Sequence, residues 1–230
     1  IDLGIGRAPG GDARTAQAVG GGRMPDARDF PEQVWQLVGH LDGTLPEEHP
    51  FRRLRVQPEV DTAPQVWLLG SSDYGGALAA QLGLRFAFAH FINPHGGDEV
   101  MRAYRDQFHP SSREPRPQAI VCTFAICAES DAAAERLAAS IDLRRLHMAL
   151  NLDTPVPTVE EALRHAYSED ERRYVMAQRA RAIIGGPAKC RTEIEALAAR
   201  YAADEVMLLT ITGDYASRLR SYELLAAELL

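Results

Sequence analysis

Apolar residues along this chain fall into short continuous runs separated by stretches with helical spacing. The clearest runs are residues 66–69, 86–91, 119–128 and 205–211, with a further strand at 1–6 and a short strand or turn at 183–187. The run AIVCTFAICA at 119–128 is continuous rather than alternating, as a parallel strand covered on both faces should be. Between the runs, Phe30, Val34, Leu37, Val38 and Leu41 recur on one helical face, with Asp29 as N-cap and Pro31 in the first turn. Leu78, Ala79 and Leu82 form a second helical face that stops at Gly83. Asn93-Pro94 is expected to cap a helix reaching Phe108. Further helices are predicted over 131–150, 158–167, 169–181, 188–201 and 215–229.

The intervening stretches read as loops. Residues 8–28 are rich in glycine and lack apolar periodicity, which predicts a long functional loop or a partly disordered one. Residues 45–62 carry Pro46, Pro50 and Pro58 and are expected to hold irregular structure or a short hairpin around Leu54. Residues 109–117 form a proline-rich loop. Five strand–helix units result, and right-handed units of this kind build either an open doubly wound sheet or most of an eight-stranded barrel. Pattern alone does not separate the two. The dinucleotide signature G-x-G-x-x-G fails, because Gly4-Ile5-Gly6 is followed by Arg7, Ala8 and Pro9.

Composition narrows the function classes. The 230 residues are 46% hydrophobic and 25% charged, and the formal charge is −7, which fits one layered α/β domain over 1–230 and argues against a nucleic-acid or anionic-membrane surface. No apolar stretch approaches the roughly 18 residues needed to span a bilayer. Three cysteines, Cys122, Cys127 and Cys190, lack metal-ligand spacing and read as buried small hydrophobes, which fits a reducing cytoplasm. No histidine pattern marks a metal site. The opening Ile1-Asp2-Leu3-Gly4-Ile5-Gly6 reads as a strand already in progress, and a fragment that lost an amino-terminal portion is expected.

Chemistry concentrates where strands end. The Gly70-Ser71-Ser72 turn leaves small residues and free N–H groups at a strand carboxyl end and a helix start, where phosphate binds readily. Arg7 follows the first strand, and its planar fork suits phosphate; the alternative is a surface arginine closing a loop against Asp12 or Asp26. Ser71 and Ser72 are ligand donors or ordinary helix caps. Tyr74 is a ligand-stacking or a packing residue. His90, at the end of the 86–91 run, is a pocket residue or a satisfied packing histidine.

IDLGIGRAPG, FPEQV, VWLLGSSDYGGALAAQLGLRFAFAHF and IIGGPAKCRTEIEALAARYAADEVMLLTIT together resemble the bacterial luciferase-like flavin-dependent monooxygenases. The resemblance implies a TIM barrel, (β/α)8, of which this chain would hold strands 4–8 with an added helical insertion, the first three βα units being absent. It implies reduced FMN supplied by a partner flavin reductase, a flavin C4a-hydroperoxide that oxygenates a small organic substrate, and a homodimer. Carried over by position, Arg7, Gly70, Ser71, Ser72 and Tyr74 would bind the flavin phosphate, and His90 with Phe91 would line the pocket near the ring. The catalytic residues are expected in the missing part, and the chain alone is expected to aggregate or to bind FMN poorly. Two alternatives stay open: an F420-dependent hydride-transfer enzyme of the same barrel family, and a non-catalytic flavin-binding fragment.

Overall fold

The computed structural model describes residues 1–8, 13–22, 26–58 and 61–230. The chain packs as two compact units, one of residues 1–88 with 100–119, the other of residues 89–99 with 120–230.

The first unit is built on three parallel strands. β1 (Asp2–Gly6) pairs with β2 (Gln65–Gly70), Gly6 lying opposite Leu69. β2 in turn pairs with β3 (Arg85–Ala89), Gly70 lying opposite Phe88. Their connections are helical: α1 (Ala13–Val19) and α2 (Phe30–Asp42) after β1, and α3 (Asp73–Leu82) after β2. The core joins Val34, Val66, Leu68, Phe86 and Phe88, with Met101 and Tyr104 from α4 (Gly97–Asp106). Tyr104 donates its buried hydroxyl to the Leu84 carbonyl at 2.9 Å, so its polar tip is satisfied where its ring is apolar. Glycines set the approach of α3 to its neighbours. A Cβ on Gly70 would meet Phe86 Cε2 at 3.3 Å, and one on Gly76 would meet Val100 Cγ1 at 2.9 Å.

The second unit centres on β4 (Ala119–Cys127), which pairs in parallel with β5 (Ala182–Gly185) over its carboxyl half and with β6 (Glu205–Leu209) over its amino half. α8 (Pro187–Tyr201) and α9 (Tyr215–Leu229) cover one face, where Ala125, Cys127, Ile183, Cys190, Ile194 and Leu225 cluster. α5 (Asp131–Ala149) packs its Ala134, Ala138 and Ile141 on Ile126 and Ile184. Two short helices, α6 (Val159–Arg164) and α7 (Glu169–Gln178), both with capping boxes, pack against α5.

Several sequence expectations change. Residues 13–19, expected in a loop, form a helix: Ala-rich ARTAQAV has high helical propensity but buries only Ala16, so apolar periodicity could not reveal it. Residues 9–12 and 23–25 of that expected loop lie outside the described residues. Asp29 takes the expected N-cap position of α2 but makes no side-chain cap bond. It is the last residue of a 3-10 turn whose own cap is Asp26, which accepts from the Arg28 N–H. Of the two expectations for residues 45–62, irregular structure holds, since no strand forms around Leu54 among the described residues. α4 begins at Gly97 rather than at Asn93, because Asn93 uses its side chain to accept from the His95 N–H at 3.2 Å and Gly96 turns the chain at φ +70°. No helix of the described residues is long and apolar enough to cross a membrane.

Candidate functional site

The β1–β2 register decides what meets at the strand ends. Because Gly6 is opposite Leu69, Arg7 comes level with Gly70, the last residue of β2. Ser72 then takes extended backbone angles (φ −146°, ψ 171°) and starts α3, which brings Tyr74 into the first turn. The Arg7 guanidinium carbon lies 4.0 Å from the centroid of the Tyr74 ring, a cation–π stack. Arg7, Gly70, Ser71, Ser72 and Tyr74 therefore share one end of this unit. Arg7 has no carboxylate partner among the described residues, so the alternative of a loop-closing pair with Asp26 fails: Asp26 is bound to Arg28. Asp12 lies outside the described residues.

Ser72 sits at the N-cap position but makes no side-chain cap bond, so its hydroxyl is not committed to the helix. Helix geometry leaves the first N–H groups of α3 without intrahelical partners. One of them is taken: Asp73 Oδ1 accepts from the Tyr74 N–H at 2.8 Å. A cation, a hydroxyl and the remaining N–H groups make this end suited to a phosphate, with Asp73 as an opposing local charge. Beside it, Ile5, Gly6, Arg7 and Ala8 face Phe30, Gln33, Val34 and Leu37 of α2 across a hollow of about 300 Å³.

His90 has a different environment. It is buried in the second unit, just past β3, and both ring nitrogens are occupied. Nδ1 lies 2.8 Å from the Tyr201 hydroxyl and Nε2 lies 3.2 Å from the Ala180 carbonyl. A carbonyl can only accept, so Nε2 carries the proton and Nδ1 accepts from Tyr201. Burial pushes the His90 pKa below its ordinary value, and Ala180 offsets part of that shift. The placement is that of a packing histidine, and Phe91 beside it stacks edge-on against Phe124 with centroids 5.4 Å apart.

All three cysteines are buried and free. Burial lifts the Cys122 thiol to about 11 and the Cys190 thiol to about 12, far from a nucleophile at neutral pH. Among the described residues no group of three His, Cys, Asp or Glu side chains is placed to hold a metal ion. Sequence reasoning passed over the charges inside the second unit. Asp142 and Arg145 of α5 are buried, Arg179 pairs with Asp142, and Arg145 lies 4.9 Å from the Phe124 ring centroid. Their only trace in the sequence is two charged residues on the face of α5 that also carries Ala138, Ile141 and Leu146.

Comparison with known proteins bears on this geometry. The family model for luciferase-like monooxygenases matches residues 1–204. YceB of Bacillus subtilis strain 168 is 36% identical over 98% of this chain and 68% of its own length. A protein named luciferase-like monooxygenase from Escherichia coli K12 is 35% identical over 97% of this chain and 66% of its own length. Among solved structures, apo-MsnO8 superposes with a TM-score of 0.87 at 31% identity, covering 99% of this chain and 68% of that one. The chain thus spans about two thirds of the proteins it matches. Similarity of fold alone extends to the FMN complex of the oxygenating constituent of 3,6-diketocamphane monooxygenase from Pseudomonas putida (TM-score 0.58, 15% identity, 99% and 70% coverage). It extends equally to an F420-dependent secondary alcohol dehydrogenase (TM-score 0.57, 11% identity, 99% and 69% coverage).

Proposed function

This chain belongs to the luciferase-like monooxygenase family, and from that premise we propose that it uses reduced FMN and O2 to oxygenate a small organic substrate. The observation that carries the FMN reading is the stack of Arg7 on Tyr74 beside the Gly70-Ser71-Ser72 turn. Bound there, the flavin supplies the O2 activation that no side chain can. The chain's part is to hold it. The Arg7 fork makes charge-assisted hydrogen bonds to the phosphate, the Ser71 and Ser72 hydroxyls and α3 amides complete the grip, and Gly70 lets the backbone come close. Tyr74 covers one face of the guanidinium and fixes its plane.

The same reading takes β1 to β4 and β6 as strands four to eight of the family's eight-stranded barrel, with α5 to α7 among its insertions. The coverage of about two thirds of apo-MsnO8 supports it. A flavin reductase as electron source and a homodimeric assembly belong to the proposal. His90 is not among the proposed flavin contacts, since Tyr201 and Ala180 occupy it.

A second reading, hydride transfer with F420, has the fold likeness to the alcohol dehydrogenase in its favour. One experiment separates them. The protein is titrated with FMN, riboflavin and F420, then given a reductase and O2 with a panel of small organic substrates. Tighter retention of FMN than of riboflavin, with substrate-dependent O2 consumption, is the expected result. Retention of F420 without O2 consumption replaces this reading with the second, and retention without any turnover leaves only a flavin-binding protein.

A further inference from the structure

The first unit carries a hollow that the flavin reading does not use. The chain after α2 folds back closely on that helix because Gly39 lacks a Cβ; one there would run into Leu45, which is buried. Past Leu45, the Pro46 carbonyl accepts from the His49 N–H at 3.1 Å and closes a turn. Between this turn and α2 lies an open hollow of about 540 Å³. Its lining is Glu32 and Trp35 of α2 with Pro46, Glu48, His49 and Pro50 of the turn.

The wall is aromatic and accessible. Trp35 is 39% exposed, so a ligand can reach its ring. The Trp35 and His49 ring centroids are 5.9 Å apart with their planes at 68°. Phe51, itself exposed, continues the surface with its centroid 5.9 Å from that of His49. The Phe51 N–H donates to His49 Nδ1 at 3.3 Å, which holds the ring in place and leaves its proton on Nε2. His40 stands edge-on to His49, with centroids 6.3 Å apart.

The rim is acidic. Glu32 and Glu48 are both exposed, and neither pairs with a basic side chain among the described residues. Glu32 lies three residues before Trp35 and so on the same helical face. Gln36 donates to its Oε1 at 3.0 Å, and Oε2 is left open. The lining holds no lysine or arginine, and the neighbouring Arg52 is committed to the Leu45 carbonyl. An anion would therefore meet two carboxylates and no cation. A cation gains from the carboxylates and from the ring faces together. Rings and prolines offer no hydrogen-bond acceptors, so the cation that matches this wall is one without N–H groups, its charge spread over methyl groups that pack as apolar surface.

We propose that this hollow binds a trimethylammonium group, its methyl groups against Trp35, Pro46 and Pro50 and its charge opposed by Glu32 and Glu48. None of these residues belongs to the Arg7–Tyr74 end, so the site stands or falls independently of the cofactor reading.

The test is titration of the full chain with choline, its neutral isostere 3,3-dimethylbutan-1-ol, the anion 3,3-dimethylbutanoate, and methylammonium. Ionic strength is held constant at about pH 8, above the ordinary range of histidine. Trp67 is only 4% exposed, so a change in tryptophan emission reports on Trp35. Choline is expected to bind saturably in the millimolar range, at least about threefold more tightly than the neutral isostere, as a cation on an exposed aromatic face should. Glu32→Gln with Glu48→Gln should abolish that preference, and Trp35→Leu should weaken choline more than the isostere, both followed by broadening of the ligand methyl resonances. Circular dichroism checks the fold of the variants. Equal or tighter binding of the isostere or the anion, methylammonium binding as tightly as choline, no saturation, or an unchanged preference in the folded glutamine variant would each overturn the proposal. The wild-type comparison of the four probes stands whether or not a variant folds.

Discussion

The guanidinium of Arg7 stacks 4.0 Å from the ring centroid of Tyr74, sixty-seven positions along the chain by their residue numbers. Neither residue is placed there by its neighbours in sequence. The register that sets Gly6 opposite Leu69 puts Arg7 at the end of β2, and the turn after Gly70 delivers Tyr74 to it.

The pair predicts a phosphate-dependent effect. Arg7→Ala should reduce the preference for FMN over riboflavin by about tenfold or more, because each charge-assisted hydrogen bond contributes roughly 1.5–3 kcal/mol. Tyr74→Leu should reduce it less, by the cation–π contribution of about 0.5–1 kcal/mol at an exposed site. Fluorescence titration with the two flavins measures both. Equal losses for FMN and riboflavin in Arg7→Ala would place the arginine outside phosphate recognition.

Gly83 ends α3 at φ +61°, and a Cβ there would lie 2.5 Å from the His109 carbonyl oxygen. Gly83→Ala combines a left-handed backbone with a rigid clash and should cost at least about 2 kcal/mol. Gly21 has nearly the same φ, +62°, but nothing within 4 Å of its Cβ position. Gly21→Ala should therefore cost only about 1 kcal/mol. Urea midpoints of the two variants make the comparison.

His90 makes stability depend on pH. Its folded pKa is pushed below 6.5 by burial, so the unfolded chain binds a proton there that the folded protein rejects. The contribution is complete above 6.5 and is lost as pH falls from 6.5 toward the lowered folded value. Between about pH 7.5 and 5.5, the wild type should lose more stability than His90→Gln, the difference isolating this histidine. Identical losses would show that His90 is solvated.

Thiol reactivity should follow burial. With Cys190 near 12, Cys122 near 11 and Cys127 also raised, alkylation by iodoacetamide at neutral pH should be negligible in the folded protein. All three should label in denaturant, as intact mass would show. Rapid labelling of one cysteine under native conditions would reveal local opening there.

Legibility in the sequence followed the physical range of each signal. β4 was readable because nine consecutive residues are nearly all apolar and must be covered on both faces. The stop of α3 was readable because only glycine adopts that positive φ without cost. The helix at 13–19 was not, because it rests on propensity and exposes nearly every side chain. Asp29 was readable as the N-cap position of α2, but that its side chain makes no cap bond while Asp26 caps the preceding 3-10 turn was not, because that turn carries no apolar periodicity.

The sequence by itself determined the alternation of parallel strands and helices, the phosphate-suited chemistry of the Gly70-Ser71-Ser72 turn and the burial of the cysteines. These depend on periodicity, backbone preference and composition within a few residues. The tertiary structure alone decided that Arg7 meets Tyr74 and that His90 is held by Tyr201, 111 residues away, and by Ala180. It also decided that Asp142 is buried against Arg179 with one oxygen left unmatched. Those outcomes depend on strand register and helix packing, which local spacing leaves undetermined because each side chain's partner lies far along the chain.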